Sequence, residues 1–427
     1  MKYNPTLHKL SNGVTVILDP MDIETVHVHV TFKTGACDEN SHEYGITHFC
    51  EHMFCKGSAR FPDAKQRKDF IENHGGTTNA VTSLIRLCFF GRIVAENLER
   101  LIDVLSEMLQ CANFDKEKIE IERGAILDEM RRGLDKPERT MFDFVMKSIY
   151  GVYVPNGTLT LGNEETIRSF AREQLLEYAS QHMSAKNCVI VISGGISDTD
   201  ALLALLEKRF AFLPTHEVNQ NLKLGYSPKV VHNSTKAKNV KINILFPCLL
   251  PDTYENMYAH KCIKRFESFL VREFMENIRQ KHGLVYGIRK MAYGYSSDRS
   301  DVTGFETETS PENVARVVAL MAKTAYRVYT TNPITQTELD RMYNLGRLAD
   351  AEFLEKSASR CDMLDIFYRA YEKIYDFYGL IEMTKSITPA DVIKYSRGFF
   401  DGPMSIVTQG ADFDGDLKQI WIDNFKE

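Results

Sequence analysis

Residues 48–52 of this chain read His-Phe-Cys-Glu-His. On a helix, His48 and His52 stand four apart, about one turn, on the same face. Two neutral imidazoles at that spacing can share one metal ion. A zinc enzyme adds a third protein ligand and keeps a fourth position open. Glu51 follows His48 by three residues on the same side. A carboxylate there can touch water at the metal without ligating it, as a general base would. The stretch ITHFCEHMFCKG contains no proline and closes on Gly57, a plausible helix stop.

A third ligand must come from elsewhere. Residues 119–132 read IEIERGAILDEMRR. Glu122 and Glu129 are seven apart, so both carboxylates fall on one helix face, two turns apart. Ala125 and Ile126 lie between them as an apolar stripe. Carboxylates bordering such a stripe suggest an internal polar site. His42 and His74 read instead as surface or loop histidines, and Cys55 as a packing residue. Cys50 points away from the histidines, toward the core.

The pattern HxxEH, with a Glu 77 residues beyond His52, resembles the inverted zinc motif of the M16 metallopeptidases. GGTTNAVT (75–82) resembles the stretch that leads into that family's substrate-binding edge strand, and ERGAILDE resembles its second Glu pair. The resemblance covers most of the chain and points to the short, two-domain branch of the mitochondrial processing peptidase subunits. It implies zinc, one ion per chain, held by His48, His52 and Glu129. Glu51 would be the general base, and Glu122 would orient a ligating histidine. Asn79 and Ala80 would hold peptide as an added strand. In RQKHGLVYG (279–287), Arg279 and Tyr286 match the family's Arg–Tyr pair. Arg279 would grip the peptide backbone, and the Tyr286 phenol would bond the oxygen that gains charge. The family also implies a dimer, here a homodimer or a heterodimer with a related subunit. Two departures stand out. No glycine-rich stretch precedes Arg279, and Cys50 stands where many short-branch members carry Leu.

The elements that must position these residues come in two copies. ETIRSFAREQLLEY (165–178) and EMTKSITPADVIKY (382–395) share Glu, Ser and Tyr at a constant offset of 217, and each precedes a short apolar strand ending in Gly. Residues 97–109 parallel 313–325, and 114–130 parallel 334–350. Two copies of one α+β unit follow, each an antiparallel sheet packed with helices. The expected division is a metal-bearing domain at 1–213, a polar linker at 214–228 and a homologous domain at 229–427. The second copy has no helical histidine pair and so no metal site. An Asn12-Gly13 turn should lead into a strand, VTVIL. HVHVTFKTG and VKINILFP read as β-rich, and 95–110 and 165–182 as amphipathic helices.

Composition limits the alternatives. The net charge is −6, with no dense Lys/Arg block, which argues against a nucleic-acid-binding module. No apolar run reaches the roughly 18 residues of a membrane span. Nine scattered cysteines without a CxxC pair fit free thiols in a reducing compartment. With no signal or presequence pattern at the start, a cytoplasmic location is expected. The rival reading is a non-catalytic scaffold subunit, whose members typically lose motif residues that this chain keeps.

Overall fold

The computed structural model describes residues 3–218, 225–294, 302–331 and 333–426. Residues 219–224 of the expected linker therefore lie outside the described residues. The chain forms two compact units, Met1–Lys136 with Val154–Leu222 and Leu348–Phe377, and Pro137–Tyr153 with Lys223–Arg347 and Tyr378–Glu427. These are not the contiguous halves 1–213 and 229–427.

In the first unit six strands form one sheet: β1 (Thr6–Lys9), β2 (Thr15–Pro20), β3 (Thr25–Phe32), β4 (Thr77–Thr82), β5 (Leu87–Val94) and, after the two-residue pair β6 (Gly157–Thr158) and β7 (Gly162–Asn163), β8 (Cys188–Gly194). Their order is β1-β2-β8-β3-β5-β4. All neighbours are antiparallel except β2 and β8, so the sheet is mixed rather than purely antiparallel. Gly13 takes φ +105° in the turn joining β1 to β2, as the Asn12-Gly13 signal predicts.

The alternation in β3 sets the two faces. Val26, Val28, Val30 and Phe32 enter the main apolar core. His27, His29 and Thr31 point the other way, because successive strand side chains alternate. On that other face lies the helix Ser357–Tyr371, which packs on β3 and β8. It meets the sheet with charge. Buried Arg360 pairs with buried Asp19 at 2.6 Å, and Asp365 pairs with Arg86 at 2.8 Å.

The second unit has β9 (Val230–Ser234), β10 (Val240–Pro247), β11 (Ile288–Tyr293), β12 (Val302–Thr309) and β13 (Ser405–Gly410), in the order β11-β12-β10-β13-β9. This repeats the first sheet strand for strand, again with one parallel pair, β13 and β9. Only a partner for β1 is missing among the described residues. The helix Pro137–Tyr150 packs on β13 of this sheet, with the Tyr150 hydroxyl donating to the Tyr293 carbonyl at 2.8 Å. Each unit thus contains a helix encoded in the other half of the sequence, and the two helices occupy matching places in the two repeats.

One predicted helix is broken. Residues 165–182 form two helices, Glu164–Ser169 and Arg172–His182. At the break Phe170 is extended and buried against Phe49. Its carbonyl and that of Ile167 accept bonds from Arg123, so a guanidinium satisfies acceptors that a continuous helix would have satisfied itself.

Candidate metal centre

The motif helix is Ile46–Lys56. Its buried face (Ile46, Phe49, Cys50, Met53, Phe54) anchors it in the core. Cys50 lies among these residues, with its thiol on the Leu175 carbonyl at 3.4 Å. Both ends need glycine. Gly45 has φ +88°, and a side chain there would strike the Leu161 carbonyl. A side chain on Gly57 would strike that of Pro62.

No side chain of the capping residue closes the N-terminus of this helix; Glu39 does so from six residues upstream. Its carboxylate accepts the backbone N–H of Gly45 at 2.7 Å and of Thr47 at 2.9 Å. The Thr47 hydroxyl meets the buried Tyr178 hydroxyl at 2.7 Å. The Glu39 carboxyl is enclosed although the residue as a whole is half-buried, and burial pushes its pKa up to about 8 against the pull of these donors.

The second helix is Lys116–Leu134, capped by Asp115. Its inward face is Glu122, Arg123, Ile126, Leu127 and Met130. Ala125, expected in the stripe between the carboxylates, is exposed, and Ile126 with Leu127 fills that role.

Across these two helices one ligand atom each from His48, His52 and Glu129 lies within 4.8 Å of the others. The Glu129 carboxylate is 3.8 Å from His48 Nε2 and 3.7 Å from His52 Nε2. Donors arranged tetrahedrally at zinc distances of about 2.1 Å sit roughly 3.4 Å apart. Two imidazoles and a carboxylate at the observed spacing fit one such ion. No other grouping of this kind occurs among the described residues.

The remaining motif residues have distinct partners. The Glu122 carboxylate takes His52 Nδ1 on one oxygen at 2.8 Å and Lys56 Nζ near the other at 2.6 Å. Burial works to raise its pKa, but these two partners overcome it and hold the group below the usual carboxylate value. Glu51 turns to the sheet, where the Thr82 hydroxyl of β4 donates to it at 2.5 Å. Burial raises the Glu51 pKa, and the Thr82 bond opposes the rise.

Among the described residues β4 is an edge strand, bonded only to β5. Asn79 and Ala80 lie in its middle, not at its entry, opposite Phe90 and Phe89. The Asn79 side-chain oxygen accepts the N–H of Ala80 at 2.9 Å. Arg279 and Tyr286 belong to the second unit. The Arg279 guanidinium stands 5.0 Å from the Tyr286 ring centroid, and Tyr286 is 88% exposed. Arg279 is carried on a π-helical turn, Met275–Gln280, a rare geometry often found at functional sites. His42 is exposed, and His74 Nδ1 meets the Phe70 carbonyl at 2.6 Å.

The sequence reading missed Glu39, Thr82 and Lys56. Glu39 and Thr82 left no usable signal, because their partners depend on how loop and sheet return to the motif helix. Lys56 did leave one, because it stands four residues after His52, on the same helix face.

Comparison with known proteins identifies the family. The family described as Insulinase (Peptidase family M16) matches residues 15–159, and Peptidase M16 inactive domain matches 169–345; together they span more than half of the chain. An uncharacterised zinc protease of Rickettsia felis is 26% identical over 98% of this chain and 100% of its own length. The β subunit of the mitochondrial-processing peptidase of Dictyostelium discoideum is 30% identical over 50% of this chain and 45% of its own. A solved M16 inactive-domain structure from Pseudomonas fluorescens superposes with a TM-score of 0.80 at 16% identity, over 97% of this chain and 100% of its own, a likeness of fold. With two M16 domains in tandem and the HxxEH residues gathered against a distant glutamate, this chain belongs to peptidase family M16.

Proposed function

We propose that the chain is a zinc-dependent endopeptidase of the short M16 branch, acting on flexible or unfolded peptides. The observation that carries this reading is the convergence of His48, His52 and Glu129, with Glu51 between that cluster and an open sheet edge. One zinc ion per chain would be held by those three residues and would supply Lewis acidity toward water and a peptide carbonyl. Glu51 takes a proton from the attacking water and returns it to the leaving amine. A carboxyl whose pKa burial has raised suits both tasks.

The open edge of β4 binds the peptide as an added strand, so the substrate must be extended. The Asn79 side chain occupies the Ala80 N–H, and an incoming backbone carbonyl replaces it there. Arg279 and Tyr286 are included as peptide contacts, with the Tyr286 phenol donating to the oxygen that gains charge. The proposal also takes the chain to be a homodimer, which its solution mass tests. It places the protein in the cytoplasm, where nine free cysteines are at home. No described helix is long and apolar enough to cross a membrane.

The test is Glu51→Gln. It should retain about one zinc per chain by elemental analysis and lose cleavage of a mixed peptide library by at least about a hundredfold. Full cleavage by that variant would remove Glu51 as the base. A wild-type chain that binds no zinc would favour the scaffold reading instead. Tyr286→Phe should lower kcat with zinc content unchanged, and unaltered turnover would take the phenol out of the reaction.

A further inference from the structure

The motif helix ends on Lys56, one turn beyond His52. Both side chains descend on the same buried carboxylate: His52 Nδ1 is 2.8 Å from one oxygen of Glu122, and Lys56 Nζ is 2.6 Å from the other. The Glu122 side chain is 3% exposed, so water offers it little alternative, whereas Lys56 is 36% exposed and reaches in from the surface. A carboxylate with one oxygen bound and the other bare can pivot about its last torsion. One with both oxygens engaged cannot.

That orientation matters at His52. A neutral imidazole carries its proton on one nitrogen, and the bond made by one nitrogen decides the role of the other. A fixed carboxylate oxygen at Nδ1 demands a proton there. This leaves a lone pair on Nε2, the nitrogen that faces Glu129 at 3.7 Å.

We propose that Lys56 is a positioning residue of the metal centre: by holding the second oxygen of Glu122, it fixes the His52 tautomer and ring orientation in which Nε2 is free to ligate. The role differs from that of a surface ion pair. Lys65, paired with Asp69 on an exposed helix face at 2.5 Å, touches nothing that binds metal. Arginine could replace Lys56, because a guanidinium also offers the carboxylate a charged donor. A methionine of similar length could fill the space but not hold the oxygen.

This proposal rests on the reading of His48, His52 and Glu129 as ligands, and the experiment separates the two. Histidine tautomers are read by long-range proton–nitrogen correlation in the metal-stripped, nitrogen-15-labelled full chain, with the His52 signals assigned from a His52→Gln sample. Zinc affinity is read by competition with a chromogenic chelator. Wild type and the control Lys65→Met should show His52 protonated on Nδ1 alone. Lys56→Met should show mixed tautomers and bind zinc measurably more weakly, by less than the roughly 10- to 100-fold cost of losing a direct partner of a ligand, because Lys56 acts through Glu122. Lys56→Arg should restore both readouts.

If Lys56→Met keeps the Nδ1 tautomer and wild-type zinc affinity, the proposal is overturned, even if its melting temperature falls, because a purely structural ion pair would behave in that way. Should Lys56→Met not fold, Lys56→Leu, which likewise offers no donor, gives the same comparison. A wild-type chain without zinc affinity would overturn the ligand reading. The tautomer measurement needs no metal and still decides the role of Lys56.

Discussion

Glu122 and Glu129 share a helix face two turns apart, yet their surroundings differ: one side chain is 3% exposed and the other 42%. The buried one is hydrogen-bonded by His52 on one oxygen and ion-paired with Lys56 at the other. The open one faces imidazole nitrogens at 3.7–3.8 Å, too far for hydrogen bonds and suited to an ion between them. The proposed roles of ligand and support therefore differ by burial, not by residue type. Glu129→Gln should lose zinc almost completely, by more than about a hundredfold, whereas Glu122→Gln should lose about 10- to 100-fold. Zinc titration of both variants checks the order, and equal losses would contradict it. Sequence spacing placed both carboxylates on one face but could not tell which would be buried.

At the scale of the element, the motif helix is fixed at its N-terminus by Glu39 and Tyr178, and at its C-terminus by a glycine against Pro62. Burial raises the Glu39 pKa to about 8. The sign of its effect on stability follows from linkage. The folded state favours the protonated acid, so this contribution is complete below the unfolded value near 4.5 and is lost as pH rises through about 8. Glu39→Gln cannot titrate. The stability advantage of wild type over this variant should therefore shrink between pH 5 and pH 9 in denaturant titrations, and a constant gap would disprove the assignment. The sequence marked the helix and its stop well. It gave no hint of the Glu39 cap, because a capping residue separated from the helix by a loop has no fixed spacing. The predicted helix at 165–182 failed for a similar reason. Its periodicity is continuous, but tertiary contacts of Phe170 and Arg123 interrupt it.

At the scale of the molecule, the two repeats exchange matching helices. The first unit draws Ser357–Tyr371 from the far end of the sequence, and the charged face of that helix neutralises the polar face of the sheet. Arg360 and Asp19 are both fully buried, so breaking the pair strands a charge. Burial pushes the Asp19 pKa up even with Arg360 beside it. Arg360→Met should cost about 3–5 kcal/mol of unfolding free energy. Thermal and denaturant melts check this. A loss below about 1 kcal/mol would mean that Asp19 finds another partner. The pair joins residues 341 apart in sequence, yet both lie within the same compact unit.

The amino-acid sequence alone determined which residues are candidates for the chemistry. Ligand types and local spacing are fixed by helix geometry, so His48, Glu51 and His52 could be read directly. The duplication showed as repeated spacing, because equivalent elements keep equivalent lengths. Only the tertiary structure decided which acid is buried, which groups contact the motif histidines and which helix completes which sheet. Those outcomes depend on desolvation and on contacts between segments far apart in the chain, and neither leaves a periodic trace in the order of residues.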